Sequence, residues 1–476
     1  MAEIDLPIRF LALAHGLAAT GITIHVLLNK RNVRAAIGWI GLAWLSPFLG
    51  CILYWLFGIN RVARRALRLN RNVAWRETSG KIDGTVGGVP GAPEQIAVIA
   101  AVGQQVTRSP AMGGNAVSLL RCGDEAYPSM LAAIRNARKT IALASYVFRY
   151  DSVGRSFIEA LAGARSRGVE VRVLLDGIGG GYVSSSAAEN LQINAVPVGR
   201  FLHDRLPWRM PLLNMRNHKK LLIVDGSIGF TGGLNIGAEN VVGLRPAAAV
   251  YDVHFGIEGP VVEQMLRAFC LDWQFATGET LTGDIWYPVI PPAGATFARG
   301  ISEGPDEDID KLEMVLLAAL GEARTRIRIV TPYFLPDERL VSALALAALR
   351  GVEVEIILPE HSNKPIVDWA VHAHLSDLIQ PGCRLFVGAG PFDHTKLMTV
   401  DGLWCLVGSA NWDERSLRLN FEFNLEIYDA ALTGNIDRLI DEKLARARRL
   451  VSEELDARAF WVKLRDAAAR LFLPYL

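Results

Sequence analysis

The chain has 476 residues, 51% of them hydrophobic, and its 50 basic residues are balanced by 49 acidic ones. A chain of this length is long enough for two or three domains that each bury a core of their own. The near-zero net charge excludes a polycation that binds nucleic acid through its overall field, whereas the mean hydropathy of +0.23 is high for a soluble enzyme and indicates contact with a membrane.

Two apolar stretches near the N-terminus, residues 10–28 and 35–58, carry no formal charge over 19 and 24 residues. At a rise of ~1.5 Å per residue they span ~28 and ~36 Å, against a hydrocarbon core of ~30 Å. We expect the second to be the better-defined membrane helix, because it offers aromatic anchors for the interface; these are Trp39, Trp44, Tyr54 and Trp55. His15, His25 and several glycines weaken the first stretch, which leaves a re-entrant or shallow position open. We expect both histidines to be structural.

Basic residues flank these stretches unequally. Three lie in the turn between them and five follow the second, so the positive-inside rule favours a hairpin with both ends in the cytoplasm. The five would also attract anionic head groups at about 1 kcal/mol per charge, unless they form only a solvated helix face; they are Arg61, Arg64, Arg65, Arg68 and Arg71. We therefore predict a membrane hairpin with a basic juxtamembrane segment over residues 1–70, followed by a Gly/Pro-rich linker over residues 71–106.

The remainder reads as a duplication. A predicted strand, helix and strand follow one another over residues 140–148, 152–167 and 168–176, and again over residues 327–333, 337–350 and 351–358. The sequence Arg-Gly-Val-Glu-Val begins the last strand in both halves, at Arg167 and at Arg350. Such alternation predicts an α/β fold with right-handed crossovers, in which mixed, largely parallel sheets are flanked by helices. We place the two lobes at residues 107–295 and 296–476.

Each half contains the pattern His-x-Lys-x-x-x-x-Asp, followed by a small-residue turn that ends in Asn. The two histidines are 176 positions apart, which suits a duplicated domain. The apolar run after each lysine predicts a short buried strand, so the histidine and lysine of one copy project from one face. The eight residues are His218, Lys220, Asp225 and Asn235 in the first copy, and His394, Lys396, Asp401 and Asn411 in the second.

Two such copies facing one cleft suit chemistry at a phosphate. The lysines supply positive charge and the asparagines amide donors for an in-line transition state at phosphorus. One imidazole attacks phosphorus while the other protonates the departing alcohol and then deprotonates the incoming one. The alternative, a histidine that caps a strand beside a solvated lysine, explains one copy far better than two.

On these residues the chain resembles the phospholipase D superfamily and, within it, the bacterial cardiolipin synthases. The resemblance runs nearly end to end and includes the hydrophobic N-terminus; it rests on residues 216–220, 232–237, 259–262 with 272–273, 331–337 and 408–416. It implies that His218 is the nucleophile and His394 the acid/base, whereas the two chemically alike copies leave the roles open. It also implies that Asp252 and Glu422 orient the imidazoles, without indicating which acid serves which histidine. We assign Asp225 and Asp401 a supporting role, closing turns or holding a lysine.

The same resemblance implies the condensation of two phosphatidylglycerols to cardiolipin and glycerol at the bacterial cytoplasmic membrane. The positive-inside bias places the lobes on the cytoplasmic side. No nucleotide-phosphate cradle is present, and none is needed to exchange one alcohol for another. We expect no cofactor and no metal, because the five cysteines are scattered without Cys/His clusters. The alternatives are a hydrolytic phospholipase D, a phosphatidyltransferase with another donor such as phosphatidylethanolamine, or a non-enzymatic membrane scaffold. A nuclease is disfavoured by the hairpin and the neutral charge, so nucleic acid is not an expected partner.

Two further segments combine aromatic and aliphatic residues with cations, as interfacial amphipathic surfaces do. They are residues 203–216, directly before the first motif, and residues 460–476 at the C-terminus. Packing against the catalytic lobes is the alternative for both. The remaining histidines, His254, His361, His372 and His374, are expected to be ordinary core or surface residues.

Overall fold

The computed structural model describes residues 2–30, 33–46, 48–58, 88–179, 181, 185–202, 215–244, 248–305, 308–373 and 375–471. The basic run at residues 61–71, the first part of the predicted linker, most of the segment 203–216 and His374 lie outside this set. The chain divides into two compact units, Met1–Arg68 and Leu69–Leu476.

The N-terminal unit contains one long helix and one broken apolar segment. Its helices are α1 (Ala2–Asn29), α2 (Val33–Leu45) and α3 (Leu49–Leu53), and a π-helical turn comes next at Tyr54–Gly58. Arg9–Asn29 is long and apolar enough to cross a membrane, and Ala35–Leu45 is a shorter apolar helix. The expectation that the second stretch forms the better-defined span was therefore wrong. The helix of this stretch ends at Leu45, and Phe48 lies at a φ of 59°, a backbone conformation that a non-glycine residue rarely adopts and that no helix continues through.

Polar contacts join the two apolar segments of this unit. Trp44 Nε1 donates to Thr23 Oγ1 at 3.0 Å, and His25 Nδ1 lies 2.6 Å from the hydroxyl of Tyr54. The glycines and histidines that weakened the prediction of a helix in the first stretch lie in one continuous helix. His25 in that helix contacts Tyr54 of the second segment.

The second unit begins with a helix inside the predicted linker. Residues Glu94–Thr107 form α4, and its residues Ile96, Ile99 and Ala100 are buried in the core of the second lobe. The linker therefore ends before residue 94 and not at 106 as predicted. The apolar spacing i, i+3, i+4 of those three residues is the helical signal, and the Gly/Pro-rich sequence just before it obscured that signal.

Helices and strands alternate through the rest of the unit. In the first lobe they are β1 (Met112–Arg121), α5 (Cys122–Asn136), β2 (Thr140–Ser145), α6 (Ser152–Ser166), β3 (Glu170–Asp176), α7 (Ser186–Ile193), β4 (Val198–Phe201), β5 (Leu221–Val224), β6 (Ile228–Gly232), β7 (Val253–Glu258) and α8 (Val262–Thr277). In the second lobe they are β8 (Thr296–Glu303), α9 (Lys311–Glu322), β9 (Arg326–Val330), β10 (Phe334–Leu335), α10 (Glu338–Leu349), β11 (Glu353–Pro359), α11 (Pro365–His372), α12 (Ser376–Ile379), β12 (Arg384–Gly388), β13 (Leu397–Val400), β14 (Trp404–Gly408), β15 (Trp412–Asp413), α13 (Glu414–Arg418), β16 (Glu422–Tyr428), α14 (Ala430–Leu444), β17 (Ala447–Arg449), α15 (Ser452–Asp456) and α16 (Phe460–Arg470).

The strand order repeats between the lobes, which confirms the duplicated α/β fold. One lobe runs β17-β12-β11-β9-β13-β14-β16-β8, and the other continues it as β1-β7-β6-β5-β2-β3-β4. In each lobe the first two crossovers are parallel, at β2–β3–β4 and β9–β11–β12. The motif strands pair antiparallel with their neighbours. The sheets are thus mixed but less parallel than predicted, because an Asp-Gly turn folds each motif strand into a tight hairpin.

In each lobe an aspartate side chain caps the N-terminus of an equivalent helix. Asp151 Oδ1 accepts from Gly154 N at 3.0 Å at the start of α6, and Asp337 Oδ1 accepts from Leu340 N at 3.1 Å at the start of α10. Each satisfies an amide that the helix itself leaves unpaired. The two lobes bury separate hydrophobic cores beneath these helices.

The C-terminal helix α16 has one packed face and one exposed face. Its Arg465 guanidinium lies 4.5 Å above the ring of Trp369 on α11, and Ala469 is buried. The other face exposes Phe460, Trp461 and Leu464. The two alternatives from the sequence, packing against the lobe and an exposed apolar surface, are therefore both present on α16.

Candidate active site

The two sequence motifs meet in one cavity. The cavity has a volume of about 500 Å³, and its lining contains His218 and Asn235 from the first lobe with His394 and Asn411 from the second. Each histidine lies just before a strand that is fully buried, β5 or β13. Because those strands occupy equivalent places in the duplicated fold, the histidines approach the cavity from opposite lobes.

Each imidazole is held by a carboxylate of the opposite lobe. Glu422 accepts from His218 Nδ1, with its two oxygens at 2.9 and 3.0 Å, and Asp252 Oδ2 accepts from His394 Nδ1 at 2.8 Å. This crossed arrangement answers the question that the sequence left open. With Nδ1 engaged, the unprotonated nitrogen of a neutral ring is Nε2.

Backbone hydrogen bonds also connect each histidine segment to the opposite lobe. His218 N donates to Phe421 O at 2.9 Å, and Phe421 N donates to Arg216 O at 2.8 Å. In the other half His394 N donates to Tyr251 O at 2.7 Å, and Tyr251 N donates to Phe392 O at 3.0 Å. Each histidine and the acid that holds it are therefore fixed by one short bridge between the lobes.

The two acids have different surroundings. Glu422 also accepts from Ser409 Oγ at 2.5 Å and from Asn420 Nδ2 at 3.0 Å. Burial raises the pKa of Glu422 to about 7. Asp252 instead accepts from Val253 N at 2.8 Å. A Cβ at Gly233 would lie 2.2 Å from Asp252 Oδ1, so the serine found in the second motif turn has no room here.

The lysines lie beneath the imidazoles. Lys220 Nζ donates to His218 O at 2.8 Å, and Lys396 Nζ donates to His394 O at 2.6 Å. Both side chains are buried, and burial lowers the pKa of Lys220 to about 7 and that of Lys396 to about 8.

Burial and the nearby lysines favour the neutral form of both histidines. Burial, followed by the nearby Lys396 ammonium, lowers the pKa of His394 to about 4. Burial, followed by Lys220 and then Lys396, lowers the pKa of His218 well below its usual value. A neutral imidazole can act as a nucleophile or a base.

The two asparagines sit differently. Asn235 Oδ1 accepts from Val147 N at 3.2 Å, which fixes the orientation of the amide. Asn411 Nδ2 donates to Ser416 Oγ at 3.2 Å, and its buried Oδ1 has no hydrogen-bond partner among the described residues.

Asp225 and Asp401 do not belong to the lining of the cavity among the described residues. Asp225 accepts from three successive amides at the start of β2, the closest being Lys139 N at 2.7 Å. Asp401 accepts in the same way at the start of β9, with Thr325 N at 2.8 Å. Both lie at positive φ, 50° and 54°. These acids tie the turn after the motif strand to the neighbouring strand.

Sequence reasoning missed several lining residues. The ring centre of Tyr146 lies 4.8 Å from that of His218, and Tyr333 lies 6.2 Å from His394. Arg216, Arg415 and Lys364 add positive charge to the lining. The two tyrosines come soon after the equivalent strands β2 and β9, so aligning the ends of those strands between the two halves would have found them.

Polar clamps hold the residues on either side of each histidine. In the first lobe Asn217 Nδ2 and Lys219 Nζ both donate to Asp272 of α8, at 2.7 and 3.1 Å. In the second lobe the charges are inverted: Asp393 is the motif residue and Lys443 of α14 the helix residue that pairs with it. No group of His, Cys, Asp and Glu that could hold a metal ion occurs among the described residues.

Comparisons with known proteins agree over most of the chain. The family model "Cardiolipin synthase, PLD-like domain" matches residues 130–273 and 316–444. The model "Phospholipase_D-nuclease N-terminal" matches residues 18–58.

Curated relatives include a cardiolipin synthase of Geobacillus kaustophilus, 30% identical over 466 residues, which cover 96% of this chain and 91% of the relative. Another, from Oceanobacillus iheyensis, is 34% identical over 363 residues, covering 76% and 75% of the two chains. Among solved structures, phosphatidylserine synthase of Haemophilus influenzae is 17% identical with a TM-score of 0.61, covering 79% of this chain and 100% of that one. The structural likeness supports the duplicated fold.

Proposed function

The chain belongs to the family of cardiolipin synthases with phospholipase D-like domains, and from that premise we propose that it transfers a phosphatidyl group between two phosphatidylglycerol molecules. The products are cardiolipin and glycerol. The observation that carries the proposal is the single cavity in which His218 and His394 are each oriented by a carboxylate of the other lobe. The reaction exchanges one phosphodiester for another, so no energy-rich cofactor is required.

In the first step His218 Nε2 attacks the phosphorus of one phosphatidylglycerol. A P–N bond forms, the P–O bond to the glycerol head group breaks, and His394 gives its proton to the departing alkoxide. The developing imidazolium at His218 is stabilised by Glu422 at 2.9 Å. We assign Lys220, Lys396, Asn235 and Asn411 to the phosphate, where their charges and amides oppose the negative charge that builds up in the transition state.

In the second step the head-group hydroxyl of another phosphatidylglycerol attacks the phosphohistidine. His394, now neutral, takes the hydroxyl proton, a P–O bond forms and the P–N bond breaks, which returns His218 to its starting state. His394 must carry a proton in the first step, although burial lowers its pKa to about 4 before substrate binds. A bound phosphodiester anion favours the imidazolium and raises that pKa.

The nearest alternatives are a hydrolase, in which water replaces the second alcohol, and a transferase with phosphatidylethanolamine as donor. Incubating the purified full-length chain with vesicles of phosphatidylglycerol alone distinguishes them by mass spectrometry. Cardiolipin and glycerol in equal amounts support the proposal. Phosphatidate as the main product would indicate a hydrolase. Cardiolipin formed only after phosphatidylethanolamine is added would indicate the other donor.

The N-terminal helix and the matching N-terminal family model indicate membrane association. We assign the protein to the bacterial cytoplasmic membrane as a hairpin of both apolar segments, with the lobes on the cytoplasmic side. Polar contacts between the segments, including Trp44 to Thr23, support the hairpin. The arginines at positions 61–71 support the sidedness through the positive-inside rule. Labelling single cysteines with a membrane-impermeant reagent in intact cells tests both.

A further inference from the structure

A second cavity lies at the carboxyl ends of the parallel strands of the second lobe. It has a volume of about 310 Å³. Its wall includes the strand ends Val330, Leu358 and Gly388 together with Leu439 of α14. We call it the rear cavity. Among the described residues it shares no lining residue with the cavity that contains the two histidines.

At the equivalent place in the first lobe, the described residues include three aromatic side chains that pack against one another. Phe201, Phe275 and Phe421 form one cluster, with Phe201 centred 5.0 Å from Phe275 and 4.9 Å from Phe421. Phe421 bridges to the residue before His218, as Tyr251 bridges to the residue before His394. Phe421 and Tyr251 are therefore equivalent, and Tyr251 lines the rear cavity.

The strand register identifies the position at which the lobes differ. Phe201 pairs with Asp176 at the end of β3, and Gly388 pairs with Pro359 at the end of β11. Gly388 thus stands where the first lobe has Phe201. A Cβ on Gly388 would meet only Leu358 O within 4 Å, at 3.8 Å. The duplication has kept the fold, while a phenylalanine in one lobe corresponds to a glycine and an open space in the other.

The chemistry of the lining indicates what would fill it. Aliphatic residues of the strand ends and of α14 form one part of the wall, and three cations and three carboxylates form another, so the cavity offers both apolar and charged contacts to a small molecule. The ion pairs Arg121–Glu442 and Lys443–Asp393 satisfy two of its cations. The third, Arg446, is exposed, and the carboxylate whose charge it senses, Glu442, is already paired with Arg121. An apolar wall beside such a guanidinium suits a short apolar chain that ends in an anion.

We propose that the rear cavity binds a single-chain anionic amphiphile, with its chain against Val330, Leu358 and Leu439 and its head group on Arg446. The shared chemistry is an alkyl chain with a carboxylate or a phosphate monoester, as in a fatty acid or a single-chain phospholipid. The site goes beyond the transfer reaction and does not depend on which lipid is the donor. It adjoins the machinery of His394, because Tyr251, Asp252 and Asp393 also line it.

Photoaffinity labelling tests the proposal. The full-length chain in phosphatidylcholine nanodiscs is irradiated with a decanoate that carries a diazirine on its chain, and cross-linked residues are mapped by mass spectrometry. We expect labels on rear-cavity residues and competition by unlabelled decanoate or decyl phosphate but not by decanol. Stronger competition by decanoate identifies a fatty acid as the ligand, and stronger competition by decyl phosphate a single-chain phospholipid.

Two variants and a control complete the test. Gly388→Phe should lower labelling at least tenfold by filling the cavity, and Arg446→Gln should lower it several-fold by removing the cation. Arg446 is exposed, so its variant keeps the test valid even if Gly388→Phe fails to fold. The control Gly321→Phe adds the same side chain on α9, where nothing lies within 4 Å of the added Cβ, and should label like the wild type. Equal labelling of all variants, or equal competition by decanol, would overturn the proposal.

Discussion

Glu422 Oε2 lies 2.9 Å from His218 Nδ1, although 204 positions and the boundary between the lobes separate the two residues in the chain. Asp252 and His394 repeat this relationship in the opposite direction. Neither lobe therefore supplies both a motif histidine and the carboxylate that holds it, and each pair forms only where the two lobes meet.

The first prediction concerns these acids. Glu422→Gln should lower kcat for cardiolipin formation by about 10²- to 10⁴-fold, because the amide cannot stabilise the imidazolium in the same way. KM should change little, since Glu422 does not line the cavity. Ser409→Ala removes one hydrogen bond to the same carboxylate and should cost far less. Steady-state kinetics on mixed vesicles measure both, and equal losses in the two variants would contradict the assignment.

The second prediction concerns pH. A lysine carries its charge below its pKa, and burial lowers the pKa of Lys220 to about 7 and of Lys396 to about 8. We therefore expect kcat/KM, which reports the free enzyme, to fall as pH rises through 7 to 8. In Lys396→Arg the charge persists, so the alkaline limb should become shallower. A flat wild-type profile between pH 7 and 9 would argue against charged lysines at the phosphate.

The third prediction concerns the buried clamp beside His218. Removing one partner in Asp272→Asn leaves the Lys219 ammonium buried without its counter-charge, which should cost roughly 3–5 kcal/mol of unfolding free energy. The double variant Lys219→Met, Asp272→Leu should recover most of that stability. Its turnover should stay low, because Asn217 also loses its partner on α8. Denaturant unfolding and kinetics on the same samples separate these effects, and full recovery of turnover would show that the clamp does not position the histidine.

The fourth prediction separates Asp225 from the chemistry. Asp225→Ala leaves three backbone amides without an acceptor and places alanine at a positive φ. It should lower stability by about 1–3 kcal/mol, with turnover per folded molecule within about threefold of wild type. Asp225→Asn should be milder, because asparagine tolerates this backbone region. A loss of turnover like that of His218→Ala, without a change in thermal unfolding, would assign Asp225 to catalysis.

The fifth prediction concerns the exposed face of α16. Trp461 is 74% and Phe460 69% exposed, so the double variant Phe460→Ser, Trp461→Ser should leave thermal unfolding unchanged. If this face contacts lipid, activity on vesicles should fall several-fold, while activity on detergent-dispersed substrate should not. Ile193→Ser, an equally exposed position on α7, serves as the matched control. Equal activity of all three proteins on vesicles would remove α16 from the membrane surface.

The local pattern of the sequence predicted the duplicated motifs and the βαβ units, and the family resemblance implied the two orienting acids. It could not predict that each acid crosses to the other lobe, because the two copies look alike and only the docked interface distinguishes them. The sheets contain more antiparallel pairing than expected, since hairpin geometry at Asp225 and Asp401 is set by their bonds to a neighbouring strand.

In the N-terminal unit and the predicted linker, the predictions failed because of local features of the sequence and not because of contacts between lobes. Counting apolar residues favoured the second stretch as a span, whereas backbone chemistry breaks that stretch after Leu45 and leaves the first as one helix through Asn29. Residues 94–107 were assigned to the linker because of the composition beside them, although their own spacing is helical. In both places the positions of individual residues determine where the helix begins or ends, and the average composition of a stretch does not show this.

The mechanism requires His218 and His394 to act on one phosphorus atom, and trapping the intermediate tests this most directly. The enzyme is mixed with phosphatidylglycerol, quenched within one turnover under conditions that preserve phosphohistidine, digested and analysed by mass spectrometry. We expect a phosphatidyl adduct on the peptide containing His218 and none in His218→Ala. In His394→Ala the adduct should form slowly, because the departing alkoxide lacks its acid, and should then persist, because the incoming hydroxyl lacks its base. An adduct on His394, or near wild-type cardiolipin formation by His218→Ala, would contradict the mechanism.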